Sequence, residues 1–255
     1  MFNWIKNKLI HKPKETDTKE DIKELHALIT LHGFGRKQSE EMSNLILWSK
    51  EENYEIITLN LYNKNDEKDC NYIDWINRAR TLVETYIVKG YKVDLLGFSM
   101  GGVIATYLST ICPINRLILI SPAFNYFNLE NFTDYIVKGA VNLINNKKDL
   151  ENPSLPKSFF GTFMDIVKHY KGYIKAVNVP TLIIHGDEDE IIPLRSSLQA
   201  FDKIPNDNKR LIILHGGKHR ILQDPKVNNE AYQIINLFIN KKILNDYDKN
   251  DINSY

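Results

Sequence analysis

Six short apolar runs set the limits on how this chain folds. They are Ala27 to Leu31, Tyr54 to Leu61, Val93 to Phe98, Arg116 to Ile120, Thr181 to His185 and Arg210 to Leu214. Several are unbroken stretches of Leu, Ile and Val. A strand with one wet face alternates apolar and polar residues. An unbroken run belongs to a strand covered on both faces, as in a parallel sheet between two layers of helices. The segments between the runs have helical spacing. In Asn71 to Lys89, the residues Ile73, Ile76, Leu82, Val83, Tyr86 and Ile87 recur on one side, and Gly90 ends the pattern. Ser99 to Ile111 and Asn229 to Leu244 have the same character. Alternating strands and helices predict an α/β fold, a doubly wound and mostly parallel sheet.

One stretch breaks the rhythm. About sixty residues separate the Ile120 run from the Thr181 run, too many for an ordinary connection. They carry Phe124, Tyr126, Phe127, Phe132, Tyr135, Phe159, Phe160, Phe163 and Tyr170. The expectation is a small helical cap at about 122–178, inserted in a single domain spanning 1–255. Most of these aromatics seal the cap to the body, and two or three line an apolar pocket. Phe124 and Phe127 are the candidates, with Phe34 facing them.

The chemistry centres on Gly97-Phe98-Ser99-Met100-Gly101-Gly102, between a buried strand and a helical segment. A G-x-S-x-G pattern in that context is a nucleophile elbow. The serine sits on a tight, strained turn that lifts its hydroxyl clear of the sheet. Side chains at Gly97 and Gly101 would collide with the neighbouring strand and helix. The Met100 N–H lies at a helix start, where it can face a developing oxyanion. His32-Gly33-Phe34-Gly35 directly follows the first strand and offers a second donor, the Phe34 N–H. His32 is read as a brace for that loop.

A serine hydroxyl needs a base, and the base needs an orienting carboxylate. The fifth run leads into His185-Gly186-Asp187-Glu188-Asp189-Glu190-Ile191-Ile192-Pro193. Asp189 is favoured as the orienter, with Asp187 as the fallback. The sixth leads into His215-Gly216-Gly217-Lys218-His219, and His219 is the candidate base. His215 and His185 are read as structural. His11, His26 and His169 show no partner pattern.

These pieces, in this order, resemble the α/β-hydrolase superfamily, and most nearly small bacterial carboxylesterases and monoacylglycerol-lipase-like enzymes. The resemblance runs from about Leu28 to Leu237. HGFG at His32 to Gly35 is similar to the family's oxyanion loop, and GFSMGG at Gly97 to Gly102 to its elbow. Asp74-Trp75 heads the helix before the elbow strand, as in several of these esterases. GDEDEIIP at Gly186 to Pro193 resembles G-x-x-D-x-x-V-P, which selects Asp189. GGKHRIL at Gly216 to Leu222 resembles the glycine-rich histidine loop, which selects His219. The resemblance implies a cap after the sixth-strand position of the family's sheet. It also implies ester hydrolysis through an acyl-enzyme, with no metal and no organic cofactor. The expected substrate is a small-molecule acyl ester of short to medium chain. A thioester, a lactone or a peptide N-terminus would use the same triad, and a silent binding scaffold would lack part of it. An aminopeptidase would want an acidic cluster in the cap, where Asp134, Asp149 and Glu151 show no pattern. The chain departs from many relatives after the second strand. Where they carry Asp-x-x-Gly-His-Gly-x-Ser, it has Asn60-Leu61-Tyr62-Asn63-Lys64-Asn65-Asp66. The loop beside the site is therefore expected to differ in shape.

Bulk properties narrow the partners. A net charge of +1 over 255 residues gives no basic field for nucleic acid. Cys70 and Cys112 form no Cys/His cluster, and two reduced thiols in a cytoplasmic protein are expected. No apolar run is long enough to span a bilayer. Near the N-terminus, Phe2, Ile5 and Leu9 share a helical face, with Lys6, Lys8 and Lys12 elsewhere. That segment is read as a packed helix or a frayed end; weak contact with a membrane surface is the alternative. The tail at 245–255 is expected to fray. A monomer or small homo-oligomer is expected.

Overall fold

The computed structural model describes residues 25–35, 37–125 and 155–242. Six strands form one wholly parallel sheet in the order β2-β1-β3-β4-β5-β6. They are β1 (His26–Leu31), β2 (Glu55–Leu59), β3 (Lys92–Phe98), β4 (Arg116–Ile120), β5 (Thr181–Gly186) and β6 (Lys209–Leu214). The helices are α1 (Ser43–Trp48), α2 (Tyr72–Val88), α3 (Met100–Ile111), α4 (Lys157–Tyr170), α5 (Arg195–Lys203) and α6 (Asn228–Ile239). Short 3₁₀ turns at Gln38–Met42, Ser49–Glu51, Lys171–Ala176 and Ile221–Gln223 join them.

The strand sequences are apolar throughout because successive side chains enter two different cores. Ile29 and Leu31 of β1, Val93 and Leu95 of β3, and Leu117 and Leu119 of β4 pack with Trp75, Val83, Val103 and Phe163 from α2, α3 and α4. Leu28, Leu96, Ile118 and Ile120 turn the other way, against Met42, Leu45, Ala231, Ile235 and Phe238, most of them from α1 and α6. Edge strand β2 is only half-buried, and its run is correspondingly the least uniform. Helix α2 begins where the Asn71 side chain accepts the Ile73 N–H at 3.0 Å, an N-cap. It stops before Gly90, which takes φ +83°.

Among the described residues the predicted strands and helices are present, with ends shifted by a few residues. The β2 run stops at Leu59 because Asn60 and Leu61 turn away from the sheet, and the last helix ends at Ile239. Helix α5 and the segment from Gln38 to Trp48 have no counterpart in the sequence reading. Of the expected cap, α4 is described and packs on α2 and α3. Positions 126–154, and with them Phe127, lie outside the described residues, as do 1–24 and the tail from 243. Both cysteines carry free thiols. Among the described residues no helix is long and apolar enough to cross a membrane.

Candidate active site

The parallel sheet delivers Phe34, Ser99, Met100, Asp189 and His219 to one edge, at the C-terminal ends of β1, β3, β5 and β6. Ser99 forms the whole connection between β3 and α3, at φ +52° and ψ −114°. A non-glycine residue held there stores about 1–3 kcal/mol of strain. The surroundings impose it. The Ser99 N–H donates to the Ile120 carbonyl at 2.9 Å, and the Ser99 carbonyl accepts from Gly102 at 3.0 Å and Ala123 at 3.1 Å. The turn is also too tight for side chains. A Cβ on Gly97 would lie 2.4 Å from the Gly101 carbonyl oxygen, and one on Gly101 would lie 2.1 Å from that of Leu31. A serine heading a helix ordinarily caps it with its hydroxyl. Ser99 does not, so its oxygen is not spent on α3. As the first residue of α3, Met100 presents an N–H without an intrahelical acceptor. Its side chain is fully buried.

The loop after β1 passes directly over this turn. A Cβ on Gly33 would stand 3.2 Å from the Cβ of Ser99. His32 braces the loop from inside the protein. Its Nε2 accepts the Leu61 N–H at 2.9 Å, which makes Nδ1 the donor to the Gly33 carbonyl at 2.6 Å. Burial lowers the His32 pKa to about 4, so the ring is neutral and plays no part as a base. Tyr62 holds the next glycine: its hydroxyl donates to the Gly35 carbonyl at 2.7 Å and accepts the Gly35 N–H at 2.9 Å. The Tyr62 ring stacks on Trp75 at 4.1 Å between centroids. The stretch that departs from many relatives thus contributes an aromatic clamp for the loop. Glu41 takes the Gly33 N–H at 3.1 Å. Between these supports lies Phe34, half-buried, its ring 5.5 Å from that of Phe163 on α4.

The candidate base and orienter come from two loops that touch. A Cβ on Gly186 would fall 2.0 Å from the Gly217 carbonyl oxygen, so only glycine allows the loops after β5 and β6 to meet this closely. Asp189 Oδ2 lies 2.9 Å from His219 Nδ1, with both side chains nearly or fully buried. Asp189 Oδ1 accepts the N–H groups of Ile191 at 2.9 Å and Ile192 at 2.8 Å. Burial opposes ionisation of Asp189. The charge of His219 and the hydrogen bonds from His185 and His219 outweigh it and hold the carboxyl well below the usual range. The bond through Nδ1 makes Nε2 the His219 nitrogen able to take a proton. The His219 ring lies 5.0 Å from that of Phe98, the residue before Ser99.

His185, read from sequence as structural, shares the same carboxylate. Its Nε2 lies 3.3 Å from Asp189 Oδ2 and 3.0 Å from the Ile192 carbonyl, while Nδ1 meets the Ser197 hydroxyl at 2.7 Å. Asp187, the fallback, bonds His215 at the surface instead. Phe124 is buried beside the elbow, two residues after Pro122, whose carbonyl is held by Ser196. His26 pairs with Asp94, and His169 stacks on Tyr72. Among the described residues no group of three or more His, Cys, Asp or Glu side chains is arranged to hold a metal ion.

The chain is similar to several known proteins. Residues 138–226 match the family model described as serine aminopeptidase, S33. A putative esterase/lipase of Mycoplasma genitalium is 27% identical over 222 residues, covering 74% of this chain and 80% of the relative. A pimeloyl-[acyl-carrier protein] methyl ester esterase of Wigglesworthia glossinidia brevipalpis is 27% identical over 256 residues, covering 84% of this chain and 93% of its own. The structure of a metagenome-derived lipolytic enzyme superposes with a TM-score of 0.69 at 17% identity, over 86% of this chain and 94% of that one.

Proposed function

The chain has the α/β-hydrolase fold, and we propose that it is a serine-dependent carboxylic ester hydrolase acting through an acyl-enzyme. The observation that carries this reading is the buried Asp189–His219 contact, 2.9 Å long, on the loops beside the strained Ser99 turn. Names of relatives in the comparisons, an esterase/lipase and a methyl ester esterase, point the same way.

In this reading His219 Nε2 removes the Ser99 proton as the oxygen attacks the ester carbonyl. Asp189 keeps the proton of Nδ1 in place and steadies the imidazolium. The Phe34 and Met100 N–H groups hold the oxyanion, each contributing roughly 3 kcal/mol to the transition state. The tetrahedral adduct collapses, the imidazolium protonates the departing alcohol, and an acyl-Ser99 ester remains. Water, deprotonated by His219, attacks that ester and releases the acid and the serine. No residue changes oxidation state, and no metal or organic cofactor is called for.

The aromatic contact between Phe34 and Phe163 supports an apolar acyl site of short to medium length, with Phe124 on its wall. Phe127 belongs to the same proposal by sequence alone. A cytoplasmic small-molecule hydrolase, built as one domain with its cap at 122–178, completes the reading. The test is a panel of p-nitrophenyl esters of graded acyl length, run on the wild type and on Ser99→Ala. Turnover by the wild type alone, highest at short to medium chains, is expected. Equal turnover by both would refute it.

One observation favours a second reading. The matching family model is described as a serine aminopeptidase, so the acyl group would be an aminoacyl residue. Aminoacyl-nitroanilides in the same panel separate the two, because turnover of those and not of esters would select it.

A further inference from the structure

Glu41 is a buried carboxylate that the mechanism above does not use. It stands in the 3₁₀ turn Gln38–Met42 and is 4% exposed. Its Oε2 reaches back eight residues to accept the Gly33 N–H at 3.1 Å, directly above Ser99. On its other side a small cleft brings it together with Phe98, Arg220, Leu222 and Gln223. Glu41 therefore joins the oxyanion loop to the histidine loop, across the Phe98 ring on which His219 lies.

A neutral amide oxygen could also accept the Gly33 N–H. A buried carboxylate is the more expensive choice. Burial raises the Glu41 carboxyl above its ordinary pKa, opposed by the charges of Arg220 and His219, the Gly33 N–H, and Lys37. The sign follows directly. A carboxyl raised on folding lends stability below its unfolded pKa, and that stability is lost as pH rises through the folded value. Once ionised, Glu41 thus works against folding in a place where Gln would not. What a negative charge adds there is an attraction to Arg220 and to the imidazolium form of His219, the form the reaction needs.

We propose that Glu41 is a positioning residue for ester hydrolysis: its carboxylate fixes Gly33, so that the Phe34 N–H faces the oxyanion, and its charge favours the imidazolium of His219. The proposal rests on the reading of Ser99 and His219 given above. It predicts that activity and stability move in opposite directions, which a merely structural residue would not produce.

The experiment compares full-length wild type, Glu41→Gln and Glu41→Ala. The readouts are thermal unfolding, kcat and KM on a p-nitrophenyl ester from pH 5 to 9, and the NMR titration of the His219 ring. For Glu41→Gln we expect a higher unfolding temperature at pH 8, and no gain below about pH 4, where the unfolded carboxyl is protonated. We expect kcat about tenfold lower with KM unchanged, and a His219 ring that titrates at lower pH than in the wild type. Glu41→Ala, which also loses the acceptor, falls below Glu41→Gln in both kcat and unfolding temperature. Wild-type kcat in Glu41→Gln, or a joint loss of stability and activity, overturns the proposal. If the wild type hydrolyses no ester, the functional reading fails, and the NMR titration still decides for Glu41. An unmoved His219 ring overturns its role.

Discussion

Two Asp–His pairs bridge the same two loops, and only one is buried. Asp187 meets His215 at 2.8 Å and Asp189 meets His219 at 2.9 Å. By distance they are equivalent. Their surroundings are not: the His215 side chain is 96% exposed, whereas that of His219 is 6% exposed and that of Asp189 fully buried. The outer pair competes with water and is screened by salt. The inner aspartate is fixed by two backbone N–H groups and a second histidine, so it has one orientation to offer His219. Proximity makes an ion pair; burial with complete hydrogen bonding makes a group that can hold a tautomer.

The largest way to break this comparison is to neutralise each aspartate in turn. Asp189→Asn removes the acceptor that holds the proton on Nδ1, and kcat/KM for a p-nitrophenyl ester should fall by ~10⁴-fold. Asp187→Asn should stay within about threefold of wild type, since the pair it breaks is solvated. Steady-state kinetics reads both, and the reverse order would reassign the orienter. A smaller effect is expected behind the inner pair. His185→Gln weakens the contact to Asp189, and should lower kcat about tenfold and stability by roughly 1–3 kcal/mol, measured by kinetics and denaturant unfolding.

The pH dependence sharpens the same contrast. The Asp189 carboxyl is depressed on folding, chiefly against the opposing effect of burial, so its contribution to stability is present above the unfolded value. It is lost as pH falls below the ordinary carboxylate range of about 4. The stability gap between wild type and Asp189→Asn should close in that direction, as followed by urea unfolding between pH 7 and 3. The outer pair gives the smallest change. Its hydrogen bond raises His215 and lowers Asp187, but both groups are open to solvent. His215→Ala should leave the unfolding temperature and kcat within experimental scatter, at low or high salt.

Local pattern explains what was legible beforehand. The strands could be placed because their two-sided burial makes each an unbroken apolar run. Ser99, Asp189 and His219 stood out as candidates because turns too tight for side chains leave glycines in the sequence, at Gly97, Gly101 and Gly186. The supporting residues left no such trace. Tyr62 acts on Gly35 from 27 positions away, and Glu41 on Gly33 from eight, so no motif contains either pair. His185 looks like the end of a buried strand, and only the fold brings Asp189 round to it. Helix α5 escaped notice because it is only nine residues long and mostly polar, RSSLQAFDK, too short a segment for its pattern to stand out.

The central claim is that Ser99 is an activated nucleophile. Incubation of the full-length protein with a fluorophosphonate probe, followed by peptide mapping, tests it most directly. The account predicts one phosphonylated residue, Ser99, and no labelling of Ser99→Ala. An unlabelled wild type, or a Ser99→Ala variant that labels as well as the wild type, would contradict it.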